Sequence, residues 1–96
     1  MATPRLRLGP RFAEAVAWVT ELHADQARKG GSDVPFLSHL FAVTALVLDD
    51  GGDEDDAITA LCHDAVEDQG GDEALAEIRR RFGDPVAEAV ALLSDS

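Results

Sequence analysis

The stretch Leu61-Cys62-His63-Asp64-Ala65-Val66-Glu67-Asp68 decides how this chain is read. It sits in a segment expected to be helical, where successive positions turn by about 100° and positions four apart nearly superimpose. His63 and Glu67 therefore share one strip, and Asp64 and Asp68 share the next. Ile58, Leu61, Cys62, Ala65 and Val66 supply the apolar remainder. Imidazole nitrogen and carboxylate oxygen are ligands for a divalent ion, and a carboxylate left over can orient or deprotonate a bound water. An ordinary solvated helix face does not concentrate these groups.

The segments on either side are helical too. Gly9-Pro10 starts a first helix that the spacing of Phe12, Val16, Val19, Leu22 and His23 carries from Arg11 to Lys29, where Gly30-Gly31 stops it. Ser32 to Pro35 is a loop. A second helix, from about Phe36 to Leu48, is rich in Leu, Val and Ala and is expected to be largely buried. Asp49-Asp50-Gly51-Gly52 ends it, and Asp53 to Asp56 place negative charge at the start of a third helix reaching about Asp68. Asp72 can cap a fourth, Glu73 to Arg81, and Pro85 begins a fifth from Val86 to Leu93. The expectation is all-α, about five helices with short loops and antiparallel neighbours. Residues 1–9 read as a loose arm and 10–96 as one helical domain. The apolar face of the last helix needs a cover: earlier helices, a second copy in a homo-oligomer, or further sequence.

His39 lies 24 residues before His63, at the far end of the second helix from the loop that joins it to the third. Antiparallel packing brings the two imidazoles together. His39, His63 and Asp64 then give three ligands and leave positions open, as a catalytic metal requires. Nitrogen and oxygen donors without thiolate suit manganese, iron or zinc. The alternative is that these histidines pack or hydrogen-bond structurally. Glu67 and Asp68 stand late in a helix, where the dipole disfavours them, so a nearby cation would relieve them; either could take a proton from water. Arg28-Lys29 reads either as a helix end answering the dipole or as a phosphate or base contact. Arg79 to Arg81 read as a solvated helix end, His23 as a packing or supporting residue, Trp18 as core and Cys62 as a buried thiol.

Composition narrows the partners. With net charge −11 over 96 residues, the chain repels DNA, RNA and anionic membranes, while a small phosphorylated ligand remains open if a cation offsets the repulsion. A 46% apolar content argues for a packed domain. One cysteine excludes an intrachain disulfide. No apolar run has membrane-spanning length and no signal-like segment opens the chain, so a cytoplasmic location is expected.

From about Phe12 onward the chain resembles the HD-domain hydrolases. The resemblance is carried in order by His23-x-x-Gln26-x-Arg28-Lys29, Pro35-Phe36-Leu37-Ser38-His39-Leu40, Ala60 to Asp68 and Arg81-Phe82-Gly83. The nearest branch looks like the RelA/SpoT-type enzymes and their small single-domain relatives, which remove the 3′-pyrophosphate from guanosine tetra- and pentaphosphate. The resemblance implies a manganese ion at His39, His63 and Asp64, water activation by Glu67 and Asp68, and nucleotide or phosphate contacts from Arg28 and Lys29. Phe36 stands where the family usually has tyrosine. Family members also continue further, with a later Asp-x-x-x-Asn segment that brings a fourth ligand and has no counterpart here, so residues 10–96 correspond to the N-terminal part of the family fold. Three functions remain: the nucleotide pyrophosphohydrolase; a catalytically impaired helical module that binds nucleotide or a protein; and a hydrolase acting on a deoxynucleotide or cyclic dinucleotide.

Overall fold

The structure is a computed structural model that describes residues 8–27 and 33–94. It is all-α, with helices α1 (Pro10–Leu22), α2 (Phe36–Asp49), α3 (Glu54–Cys62), α4 (Ala65–Gln69), α5 (Gly71–Phe82) and α6 (Asp84–Ser94). Among the described residues the one extended pairing is an isolated antiparallel bridge between Ala27 and Pro35.

α3 is the central rod. Ala57, Ile58, Ala60, Leu61 and Cys62 are all buried, and α1, α2 and α6 pack around it. Its start is fixed locally by a reciprocal cap: Asp53 Oδ1 accepts from the Asp56 N–H at 2.9 Å, and the Asp53 N–H donates to Asp56 Oδ2 at 3.0 Å. Around it close Ala15, Trp18 and Val19 of α1, Leu40 of α2, Ile78 and Phe82 of α5, and Val86, Ala87 and Val90 of α6. Arg11 ties α1 to α3 and α5 at one end, donating to Glu54 Oε1 at 3.2 Å and to the Phe82 carbonyl at 2.7 Å.

Four local departures from the sequence reading have physical causes. α1 ends at Leu22 rather than Lys29, because Ala24 and Ala27 are the only apolar residues beyond His23 and further turns would have nothing to bury. The chain instead turns back, and the Phe36 N–H donates to the Gln26 carbonyl at 2.8 Å. The third helix is split at His63-Asp64, giving six helices from five expected segments. The His63 ring takes the Ala60 carbonyl at 2.6 Å, competing with the Asp64 N–H that would use it in an unbroken helix. α2 is less buried than its composition suggests: it leans mainly on α3, hiding Leu40 and Thr44 and leaving Phe41 and Leu46 exposed. Finally, α5 begins at Gly71 with no side-chain cap, so Asp72 contributes first-turn charge instead.

Arg79 and Arg80 lie on the surface as expected, but Arg81 does more. It pairs with Glu14 of α1 at 3.2 Å and stacks over the Trp18 ring at 5.7 Å, joining α5 to α1. Trp18 meets Phe82 edge-on at 6.1 Å. The face of α6 finds its cover in the earlier helices through Val86, Ala87 and Val90, while Leu92 and Leu93 stay exposed.

The α2–α3 turn sets the approach of the two helices. Gly51 has φ +94°, and a Cβ on Gly52 would lie 2.7 Å from Val47 Cγ1 and 2.9 Å from the Val47 carbonyl oxygen. Gly52→Ala is therefore expected to destabilise the domain by about 1–3 kcal/mol, read as a lowered urea midpoint. An unchanged midpoint would show that the turn tolerates the side chain.

Candidate metal centre

α2 and α3 run antiparallel across that turn, and His39, one turn into α2, comes level with His63 at the end of α3. Their ring centroids are 5.7 Å apart. Asp64 lies between: its Oδ2 is 3.2 Å from His63 Nε2 and 3.5 Å from His39 Nε2. The three groups, all partly buried, can each offer a ligand atom within 4.8 Å of the others.

Donor chemistry tells what this cluster accepts. A backbone carbonyl only accepts, so His63 Nδ1 must carry the proton it gives to Ala60. In the neutral ring Nε2 is then a bare lone pair, facing a carboxylate oxygen that is also an acceptor. Two acceptors at this distance repel unless a proton or a cation lies between them. Asp64 adds a second sign: it occupies the N-cap position of α4 yet makes no side-chain cap bond, forgoing about 1 kcal/mol of local stabilisation. Its carboxylate faces the imidazoles instead. A histidine that donates one nitrogen to a carbonyl and aims the other at a shared point is arranged as metal ligands usually are. The residues present therefore fit a divalent cation, and the charge of −11 raises its local concentration.

The other expected site residues stand as follows. Glu67 is on α4 with its side chain exposed, one helical turn beyond His63. Asp68 belongs to the same helix, and its side chain lies outside the described part; Arg28 and Lys29 also lie outside the described residues. Among the described residues the structure gathers His63 and Asp64 with His39 from α2, the meeting that the distances to the α2–α3 turn imply.

Two neighbours emerge from the structure. Phe36 packs between His23, at 5.0 Å, and His39, at 5.5 Å, so that four rings form a file ending at His63. The i, i+3 spacing of Phe36 and His39 carried that signal. A groove of about 590 Å³ opens beside His63, between α2, α3 and α6, with Val43, Val47, Ala60 and Leu93 and the acidic Asp50 and Asp56 among its lining. No spacing within a single helix announces it.

This fold and this His-His-Asp cluster define an all-α domain with a group of side chains that could hold a divalent metal ion. The sequence profile of the HD domain matches residues 15–96, and the chain belongs to that family. Among its relatives, a probable guanosine-3′,5′-bis(diphosphate) 3′-pyrophosphohydrolase of Synechocystis is 38% identical over 79 residues, covering 82% of this chain and 10% of the relative. The guanosine-3′,5′-bis(diphosphate) 3′-pyrophosphohydrolase of Aquifex aeolicus is 36% identical over 85 residues, 84% of this chain and 12% of its own length. The MESH1 enzyme of the same description from Xenopus tropicalis is 33% identical over 84 residues, 85% of this chain and 46% of its own. The chain thus spans less than half the length of each of these relatives. Among the described residues no helix is long and apolar enough to cross a membrane.

Cys62, next to His63, takes no part in the cluster. Burial pushes its thiol from 9.0 up to about 12. Its contribution to stability is whole below pH 9, where the unfolded thiol ionises, and is lost as pH rises toward about 12. A thiol reagent at pH 8 should label Cys62 only as fast as the protein unfolds, and Cys62→Ala should flatten the loss of stability above pH 9. Immediate labelling of the native protein would contradict this burial.

Proposed function

We propose that this domain is a metal-dependent phosphohydrolase that removes the 3′-pyrophosphate from guanosine tetra- or pentaphosphate or a related nucleotide, with manganese as the ion and iron or zinc as alternatives. The observation that carries this reading is that His39 Nε2 and His63 Nε2 lie 3.5 and 3.2 Å from the same Asp64 oxygen, with the three groups able to offer ligand atoms within 4.8 Å of one another. The named activity of the relatives supports the substrate. An ion held there supplies Lewis-acid chemistry to the phosphoryl group and acidifies water beside it. The chain's own residues do the rest. His39, His63 and Asp64 hold the ion, and the Ala60 carbonyl keeps the proton of His63 on Nδ1, away from it. Glu67 and Asp68 are proposed as the proton acceptor for the attacking water. Its oxygen bonds to phosphorus as the bond from phosphorus to the ribose 3′ oxygen breaks, releasing pyrophosphate. Arg28 and Lys29 are proposed to hold the nucleotide, since guanidinium forks onto phosphate and stacks on a base. They also offset the repulsion between a polyphosphate and a chain of charge −11. With such a substrate, a cytoplasmic location is part of the proposal.

Incubated with manganese and guanosine tetraphosphate, the protein should release pyrophosphate, and His63→Ala should reduce the rate at least a hundredfold. Absence of turnover on guanosine nucleotides, deoxynucleotides and cyclic dinucleotides at saturating metal would reject hydrolysis by residues 1–96.

The groove favours a second reading. Its apolar walls, with Leu46 at 68% and Leu92 at 74% exposure elsewhere on α2 and α6, suit a binding module that docks nucleotide or a protein segment, including another copy of the chain, without catalysis. Calorimetry that detects guanosine tetraphosphate binding with no pyrophosphate released would select it.

A further inference from the structure

The position of His39 is set from outside the cluster. α2 begins without a side-chain cap: Pro35 is its N-cap residue and makes no such bond. The first N–H of the helix, that of Phe36, goes instead to the Gln26 carbonyl at 2.8 Å, a residue ten positions earlier. The neighbouring Ala27–Pro35 bridge closes the same junction. Gln26 in turn is fixed by His23: the ring Nδ1 donates to Gln26 Oε1 at 2.9 Å, and the Gln26 N–H donates to the His23 carbonyl at 3.0 Å.

His23 is an unexpected residue for this place. It is 1% exposed, and its Nε2 is buried without a hydrogen-bond partner. An apolar side chain would fill the same space with no unpaired nitrogen, so packing alone does not explain an imidazole here. What the imidazole adds is the bond from Nδ1 to Gln26 and a planar ring packed at a 39° tilt against Phe36, at 5.0 Å. Phe36 passes that support on, its ring lying 5.5 Å from that of His39 and tilted 50° to it.

We propose that His23, Gln26 and Phe36 form a positioning clamp that sets the start of α2 and the plane of the His39 ring, so that His39 Nε2 points at the ion-binding point shared with His63 and Asp64. The proposal rests on the metal-centre reading above, and it adds three residues that touch neither ion nor substrate. Supporting residues of this kind change metal affinity by about 10–100-fold when removed. The clamp acts by orientation, so a ring at position 36 matters and adding a hydroxyl to it does not.

The test uses the full 96-residue chain and three variants: Gln26→Ala, Phe36→Leu and Phe36→Tyr. Manganese affinity by calorimetry should fall about tenfold or more in Gln26→Ala and in Phe36→Leu, and stay at the wild-type value in Phe36→Tyr. The melting temperature of the metal-free Gln26→Ala protein should move little, which separates orientation from general loss of fold. In the same metal-free protein, the His39 ring resonances should shift and broaden, although Gln26 is not on the same helix. Wild-type manganese affinity in both Gln26→Ala and Phe36→Leu overturns the clamp. If the wild-type chain takes up no metal, the metal-centre reading fails by itself. The clamp is then judged by the nuclear magnetic resonance arm, where unchanged His39 ring signals in Gln26→Ala refute it.

Discussion

One hydrogen bond governs the site: His63 Nδ1 to the Ala60 carbonyl, at 2.6 Å. It fixes the tautomer, leaving Nε2 as a lone pair in the neutral ring. It also competes for the carbonyl that would continue the helix ladder, and the chain breaks into α3 and α4 at that point. The break puts Asp64 at an N-cap position, from which its carboxylate faces the imidazoles instead of capping α4. Tautomer, helix interruption and carboxylate direction thus follow from one local contact. What remains is a pair of acceptors 3.2 Å apart, an arrangement that calls for positive charge between them.

The rest of the fold brings His39 to meet that pair. The Gly51-Gly52 turn lets α2 fold back closely on α3, and the buried row from Ala57 to Cys62 holds α3 as a fixed reference. α2 has little other anchorage, since Leu40 and Thr44 are its only fully buried residues. A helix so lightly held needs its start tied down, which explains why the Gln26 carbonyl and the His23–Phe36 packing sit at its N-terminus. The centre joins a firmly packed helix to one held at its edge. The groove beside His63 is the other face of that same arrangement, because α2 reaches α3 without closing against α6.

Much of this was legible in the sequence. The antiparallel pairing of helices two and three follows from their apolar composition and the short Asp-Gly-rich turn, and the meeting of His39 with His63 follows from their distances to that turn. The all-α class and the family resemblance were carried by the same residues. Other features were hidden because they depend on competition between local and tertiary bonds. The early end of α1 reflects a partner, Phe36, that lies beyond the helix itself. The split at His63-Asp64 arises from a ring reaching a carbonyl three residues back, an event that periodicity does not encode. The exposure of Phe41 and Leu46 reflects the edge position of α2, which composition alone does not reveal. Arg81 read as a solvated helix end, yet its contacts with Glu14 and Trp18 depend on how α5 crosses α1.

The most direct measurement of the central claim is nitrogen-15 nuclear magnetic resonance of the histidine rings during titration with zinc, a spectroscopically silent member of the proposed set of ions. Nε2 of His39 and of His63 should move together, completing their change at a single equivalent, while His63 Nδ1 keeps its proton. Independent responses of the two rings, a change centred on His63 Nδ1, or no change in either ring would contradict a cation shared by His39, His63 and Asp64.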